Sequence, residues 1–452
     1  MPKENPNCET TVLERAVSSI LAASAAIPEA SALSFEISCV ESASARGYFL
    51  PDEEEYVRLR YSQYLSLRSA LLTTLGEIAA AAGRNSTDWS GRLPVFATAF
   101  TAACLLMRAN RFVIQLAADR PVIWKKLDEA DQRAGIPRKS FTAIYQSSTS
   151  AYNLRRFLAA SDFHNANRTG ILNLASHPVV SPLIPILIAE EPGIERRRSD
   201  ALKRLFAYRW FSFLRRHRSA WRQVMFGFFK ASGRAIAELR QPGIKKPGTP
   251  KRINPDLRNT ALARAKPGDV FVTRHDDALS NLFLPGFWPH AALFLGSRLD
   301  CQQRGIHLPE NNDDGPWFLE AKKDGVRFRP ASETLAVDAF VMLRPPFSPE
   351  EMNAALTRAA SHEGKPYDFL FDFRTSDYLA CTEVIYRGMH GIGPVKYHLE
   401  EVGGRLCLPA EELLNQSMDC GFRVVATAGL RGNRLLTGID AETAFHSSRQ
   451  PL

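Results

Sequence analysis

The sequence predicts an α+β fold: a helical bundle in its first half, then a domain built on a small antiparallel sheet and a helix that begins at a cysteine. Three observations predict it. Helical periodicity dominates to about residue 240, a Pro/Gly/Lys-dense stretch follows at Gln241 to Arg252, and beyond it short apolar runs alternate with Gly and Pro. The 452 residues thus divide into a helical region 1–240, a linker 241–254, a mixed domain 255–430 and a C-terminal tail 431–452. A composition of 45% hydrophobic and 23% charged residues is that of a globular chain. At about 100–200 residues per domain there is room for two or three.

In the first half, Asp52-Glu53-Glu54-Glu55 reads as a capping box before a run through Leu65, Leu67, Leu71, Leu72 and Leu75 that ends near Gly83. Further periodic segments cover Leu93–Asp119, Val122–Ala134 and Phe141–Ala160, which together suit a bundle. The most apolar stretch, Leu93 to Met107, is interrupted by Arg108 and Arg111. It falls short of the roughly 18 residues of a membrane span and reads as a core helix. From Arg196 to Arg240 the chain is strongly basic, with Arg196-Arg197-Arg198, Lys203-Arg204 and Arg215-Arg216-His217-Arg218. Leu202, Phe206, Trp210, Phe213, Trp221 and Phe228 recur among them at helical spacing. Such a helix can lie on an anionic membrane through Arg215, Arg216 and Arg218, or bury its aromatic stripe in the bundle and leave the arginines solvated.

In the second half, strands are expected at Val270–Thr273, Ala291–Leu295, Trp317–Ala321, Val326–Phe328 and Phe340–Leu343. Ser348, Pro349 and Glu351 form a capping box with proline at the first helical position, and that helix should fade by Gly364. After Cys381, the residues Val384, Ile385 and Met389 fall at helical spacing, with Gly388 and Gly391 as stop signals.

The chemistry-bearing residues follow from those placements. A cysteine in the first turn of a helix meets the partial positive charge of unpaired amides, and a base can take its proton. His290, about ninety residues earlier, heads the strand Ala291–Leu295, and Glu320 interrupts the apolar run of the next strand. Antiparallel pairing of those strands would bring the carboxylate to the imidazole, fixing its tautomer. Cys381 is then the candidate nucleophile, His290 the base and acid, and Glu320 the orienter.

The order of short motifs resembles the permuted papain-like amidases, the NlpC-related YiiX-like group distantly akin to lecithin:retinol acyltransferase. The motifs are Lys266-Pro267-Gly268-Asp269-Val270-Phe271, Pro289-His290-Ala291, Glu320-Ala321 with Gly325-Val326, Gly364-Lys365-Pro366-Tyr367-Asp368, and Cys381-Thr382-Glu383. The histidine strand precedes the cysteine, the reverse of ordinary papain relatives. The resemblance covers roughly residues 255–430. Thr382 stands where serine is frequent, Ala380 replaces an aromatic, and the segment between His290 and Glu320 is long. The resemblance implies a papain-like fold and places Tyr367 near the nucleophile as a donor to the oxyanion, with Thr382 beside it.

Other classes lack support. No Cys-x-x-Cys pair or phosphate-cradling glycine loop occurs, so the chemistry is expected to need no metal or cofactor. The N-terminus lacks a basic then apolar leader, and seven scattered cysteines suit a reducing compartment, so a cytoplasmic location is expected, peripheral to a membrane if the basic segment docks on one. A net charge of +9 permits nucleic-acid binding, but no recognition motif accompanies it. The expected function is a cysteine hydrolase or acyltransferase acting on an amide or ester, with a lipid-like part suggested by the basic aromatic segment. The competing expectation is a membrane- or partner-binding protein that uses the domain only as a scaffold.

Overall fold

The computed structural model describes residues 6–28, 30–81, 91–117, 119–131, 134–199, 250–276, 287–310, 315–402, 404–430 and 432–449. They form two compact units. The first holds the described residues up to 199 except 48–52; the second holds those five and the described residues from 250 onward.

The first unit is helical: α1 Pro6–Ala26, α2 Ser34–Arg46, α3 Pro51–Ala81, α4 Leu93–Ala117, α5 Pro121–Leu127, α6 Ser140–Thr149, α7 Ala151–Ala166, α8 Arg168–Leu172 and α9 Ile184–Ser199. Helix α4 is its centre, because its apolar residues pack on Ile20 of α1, Leu71 of α3, Phe157 of α7 and Leu187 of α9. Phe96 and Phe100, one turn apart on α4, stack with ring centroids 5.3 Å apart. By length and composition alone α4 could also cross a membrane. Three expectations are corrected here. Helix α3 begins at Pro51, so Asp52 lies inside its first turn rather than capping it. The helix expected over Val122–Ala134 stops at Leu127, where the Asp128 carboxylate turns to accept the backbone N–H of Thr142 at 2.7 Å. The segment Phe141–Ala160 divides at Ser150, whose extended backbone (φ −62°, ψ 129°) separates α6 from α7.

The second unit opens with α10, Pro255–Leu262, capped by the Asn254 side chain on the N–H of Leu257. Its strands are β1 Val270–Arg274, β2 His290–Gly296, β3 Trp317–Lys322, β4 Gly325–Pro330, β5 Ala339–Arg344, β6 Glu400–Val402, β7 Arg405–Cys407, β8 Arg423–Ala428 and β9 Leu435–Thr437. Seven form one sheet in the order β4-β3-β2-β1-β5-β8-β9, every adjacent pair antiparallel. The helices are α11 Arg298–Gln303, α12 Ala331–Thr334, α13 Pro349–Ala360, α14 Cys381–Met389, α15 Ala410–Asp419 and α16 Gly438–Ser448.

Side chains alternate across a strand, so each strand serves two faces. Val272, Leu293, Leu319 and Val341 meet Leu356 of α13 and Ile385 of α14 on one face. Phe271, Phe294, Phe318 and Phe340 meet Leu257 and Ala261 of α10 on the other. Both faces are covered, which is why these strands read as apolar runs rather than as alternating ones. Helix α13 has the expected cap: Ser348 Oγ accepts the N–H of Glu351 at 3.2 Å, and the Glu351 carboxylate accepts the N–H of Ser348 at 2.8 Å.

Three further corrections concern this unit. Gly388 does not stop α14, which runs to Met389; a Cβ there would lie 2.8 Å from the Ala359 Cβ, so the glycine lets α13 and α14 approach. The end of the expected linker belongs to the domain, since Ile253 is buried and its N–H donates to the Val337 carbonyl at 3.2 Å. The expected tail 431–452 contributes β9 to the sheet and α16 to the core. Phe445 of α16 is fully buried, and burying a phenylalanine stabilises by about 1.5–3 kcal/mol.

Candidate active site

Cys381 is the first residue of α14, preceded by Ala380 in extended conformation (φ −82°, ψ 167°). The turn presents the helix's free amides to the sulfur, which accepts the N–H of Thr382 and, from β2, that of Ala291. The Thr382 contact is therefore made by its backbone. Burial would push the thiol upward, but the charged imidazole of His290 and its hydrogen bond outweigh that, and the thiol lies below its ordinary 9.0. Other cysteines go the opposite way: burial pushes Cys301 up to about 11 and raises Cys104 and Cys407 as well.

His290 starts β2, opposite Thr273 of β1. Its Nε2 lies 2.7 Å from Glu320 Oε2, and the ring also hydrogen-bonds Cys381, which leaves Nδ1 for the sulfur. Register accounts for this. Leu293 pairs with Leu319 and Phe294 with Phe318, so continuing the ladder sets Ala292 opposite Glu320 and His290 on the adjacent diagonal. Burial alone would lower the imidazole, yet Cys381 and Glu320 together raise it to about 9. The long insertion between His290 and Glu320 does not disturb the ladder; α11 takes up part of it, capped by Ser297 and Asp300.

Glu320 is fully buried and accepts several donors. Lys322 Nζ is 2.7 Å from Oε1, Thr334 Oγ1 donates to the same oxygen at 3.0 Å, and Arg329 Nε stands 3.3 Å away. Burial opposes ionisation, but His290 and then Lys322 hold the carboxyl down at about 2. An ionised carboxylate at this depth needs such partners to remain charged.

Tyr367 reaches the site through a short backbone bridge. The Leu379 N–H donates to the Pro366 carbonyl at 3.0 Å, and the Asp368 N–H donates to the Leu379 carbonyl at 3.1 Å, two residues before Cys381. The strand end of the β3–β4 hairpin anchors the same loop: the Val326 N–H donates to Lys365 O at 2.8 Å, and the Gly364 N–H to Val326 O at 2.9 Å. Gly325 is required there, because its φ is +102° and a Cβ would sit 2.5 Å from that Lys365 oxygen. Burial, the nearby Cys381 sulfur and Asp368 raise the Tyr367 phenol well above 10.0, so it stays a hydrogen-bond donor.

The structure brings Cys381, His290, Glu320, Thr382 and Tyr367 together. Arg215, Arg216 and Arg218 lie outside the described residues. His275, which the sequence leaves in a loop, follows β1 directly and interacts with His290; burial, Lys251 and His290 lower it to about 4, so it stays neutral while His290 is charged. His307 is exposed. Lys322, Arg329, Thr334 and the buried ion pair of Glu383 with Arg387 at 2.8 Å surround the site without standing out in the sequence. Two of these had a signal: Lys322 is two residues from Glu320 on one strand face, and Arg387 is four from Glu383 on a helix. Arg329 and Thr334 had none, because only the β3–β4 register and the turn into α12 deliver them.

A cysteine at a helix start, facing a strand-borne histidine that is oriented by a carboxylate, defines a papain-like domain, here with the histidine first in the chain. Residues 264–399, within the second unit, match the family model described as permuted papain-like amidase enzyme, YaeF/YiiX, C92 family. Comparison with curated proteins gave no significant match, and comparison with solved structures gave none either.

Proposed function

We propose that the second unit is a cysteine hydrolase that cleaves an amide or ester through a thioester. The reading rests on one observation: His290 Nε2 stands 2.7 Å from the buried Glu320 carboxylate while the same imidazole interacts with the Cys381 sulfur. In the neutral imidazole, Nε2–H donates to Glu320 and the Nδ1 lone pair faces the thiol. Proton transfer gives a thiolate and an imidazolium that Glu320 stabilises. The sulfur attacks the carbonyl carbon, and amides at the start of α14 with the Tyr367 hydroxyl donate to the oxyanion. His290 then gives its proton to the departing amine or alcohol as the carbon–heteroatom bond breaks. Water resolves the thioester in a hydrolase; an alcohol or amine taking its place would make the same site an acyltransferase.

The experiment is labelling with an electrophilic thiol probe, followed by peptide identification and turnover of model amides and esters. Cys381→Ala should abolish labelling and turnover, while Cys301→Ala and Cys420→Ala keep both. Wild-type turnover in Cys381→Ala would sink the assignment.

The lipid-like part of the substrate rests on the basic aromatic sequence alone. It calls for sedimentation with anionic vesicles at low salt, release as salt rises, and weaker binding when Arg215, Arg216 and Arg218 become glutamine. A wild-type protein that leaves such vesicles unbound would remove the membrane from the proposal.

A further inference from the structure

The loop that leads from Tyr367 to Cys381 is closed on itself and held from two sides. Its ends are joined where Leu379 bonds both Pro366 and Asp368. Inside it, the Asp368 carboxylate accepts the N–H of Leu370 at 2.8 Å and that of Asp372 at 2.7 Å. From β7, the Leu406 carbonyl accepts the Phe373 N–H at 2.8 Å, and Arg405 Nη1 donates to the Leu370 carbonyl at 2.9 Å. The other hold comes from α14, the helix that carries the sulfur: Arg387 Nη2 donates to the carbonyls of Phe373 and Thr375, each at 2.9 Å. Arg387 is fully buried, and its Nε donates to Glu383 Oε1 at 2.8 Å, while the second oxygen of Glu383 accepts the Ala380 N–H at 3.4 Å. One guanidinium thus ties the far end of the loop to the turn on which Cys381 starts. Its planar fork sets several acceptors at once, which an ammonium does not.

The loop also braces Tyr367 with its own side chains. The rings of Phe369 and Phe371 meet the Tyr367 ring edge-on, with centroids 4.9 and 6.1 Å away. Phe371 has φ +51°, in the left-handed region that a bulky side chain rarely adopts. Such a backbone persists only where its surroundings over-determine it, and the bonds at Leu370, Asp372 and Phe373 flank it on both sides. A hydroxyl serves an oxyanion only within hydrogen-bond reach, and a misplacement of about 1 Å can cost about 10²-fold in rate. The Tyr367 ring therefore leans on rings whose backbone Arg387 helps to hold.

We propose that Arg387 is a positioning residue: through the carbonyls of Phe373 and Thr375 it fixes the loop whose Phe369 and Phe371 rings hold the Tyr367 hydroxyl at the oxyanion. The proposal rests on the hydrolase reading above. Two reagents separate positioning from the reactivity of the thiol. With p-nitrophenyl acetate the sulfur bonds to the carbonyl carbon through a tetrahedral oxyanion and p-nitrophenolate leaves. With iodoacetamide it bonds to a saturated carbon as iodide leaves, and no oxyanion forms. In full-length Arg387→Met, acylation of Cys381 should slow about tenfold or more while its alkylation changes less than about twofold, and Arg387→Lys should fall between. Phe371→Gly relieves the backbone and removes one brace, so it should show the same split even where Arg387→Met fails to fold. Added to Tyr367→Phe, either substitution should cost little more, because all of them act on one hydroxyl. Equal loss with both reagents, full additivity with Tyr367→Phe, or wild-type acylation by a folded variant of either residue overturns the proposal. A wild-type protein that p-nitrophenyl acetate leaves unlabelled at Cys381 overturns the hydrolase reading itself, and this proposal with it. Far-ultraviolet circular dichroism and the unfolding midpoint establish that each variant is folded.

Discussion

Glu320 in the second unit and Glu190 in the first are both buried carboxylates beside cations, but their surroundings differ. Glu320 collects His290, Lys322 and the hydroxyl of Thr334, with the Arg329 guanidinium 3.3 Å away, so several partners converge on one anion. Glu190 lines a cavity along which four arginines also lie, and among the described residues Arg108 is the one bonded to it. A fully buried anion must be compensated within the fold, because no water reaches it. Arginine heads at the rim of a cavity can stay partly hydrated, so fewer direct partners are needed there. The first arrangement is closed within the protein. The second leaves its guanidinium groups along a cavity wall.

Substitutions should separate the two. The largest effect is expected at the group that Glu320 orients: His290→Ala should lower turnover by about 10²–10⁴-fold, the usual worth of a positioned acid–base group. A rate near wild type, read under single-turnover conditions, would shift the base to neighbouring His275.

Glu320→Gln should cost less in rate at neutral pH but reshape the pH profile. With His290 raised to about 9, the imidazolium is lost as pH climbs through that value, and without the carboxylate the alkaline limb should move downward. Stability follows the same signs. The contribution of His290 is full below its ordinary 6.5 and disappears as pH rises through about 9; that of Glu320 is full above 4.5 and disappears as pH falls towards about 2. Denaturation midpoints measured across this range should show both limbs flattened in the variant. Unchanged limbs would mean that the carboxylate does not hold the ring.

Gly388→Ala tests packing behind Cys381, the candidate nucleophile. Its Cβ would meet that of Ala359 at 2.8 Å, and neither helix can yield at that point without moving its backbone. A loss of about 1–3 kcal/mol is expected by denaturant titration, as for other overpacked contacts. Wild-type stability would show that α13 and α14 separate freely.

Smallest is Glu190→Gln. Its partner Arg108 keeps 45% of its side chain exposed, so losing the pair should cost less than about 1 kcal/mol. A loss comparable with that of a buried ion pair would erase the contrast with Glu320.

Much of this was legible in the chain. The division into a helical and a mixed half, the Ser348 cap and the helix starting at Cys381 are local, written in periods of three to four residues and in capping side chains. Strands β1 to β5 were recognisable because apolar runs end at Gly and Pro. Strands β8 and β9 were not: Arg423–Ala428 mixes polar and apolar residues, and Leu435–Thr437 has only three, too few to show a period. Gly388 was misread because a glycine that ends a helix and one that admits a neighbouring helix look alike until that neighbour is in place.

The sequence by itself determined which residues could carry chemistry: a thiol at a helix start, an imidazole at a strand head, a carboxylate inside an apolar run. Tertiary structure decided that they meet. The β2–β3 register sets His290 diagonal to Glu320, where a one-residue slip would turn the carboxylate to the other face of the sheet. Helix α14 then brings Cys381 to the imidazole from about ninety residues away. The same holds for the arginines of α4 and α9, whose charge is plain in the chain but whose shared cavity exists only once the two helices pack. Local preferences depend on neighbours a few residues apart, whereas these encounters depend on long-range packing that no local pattern encodes.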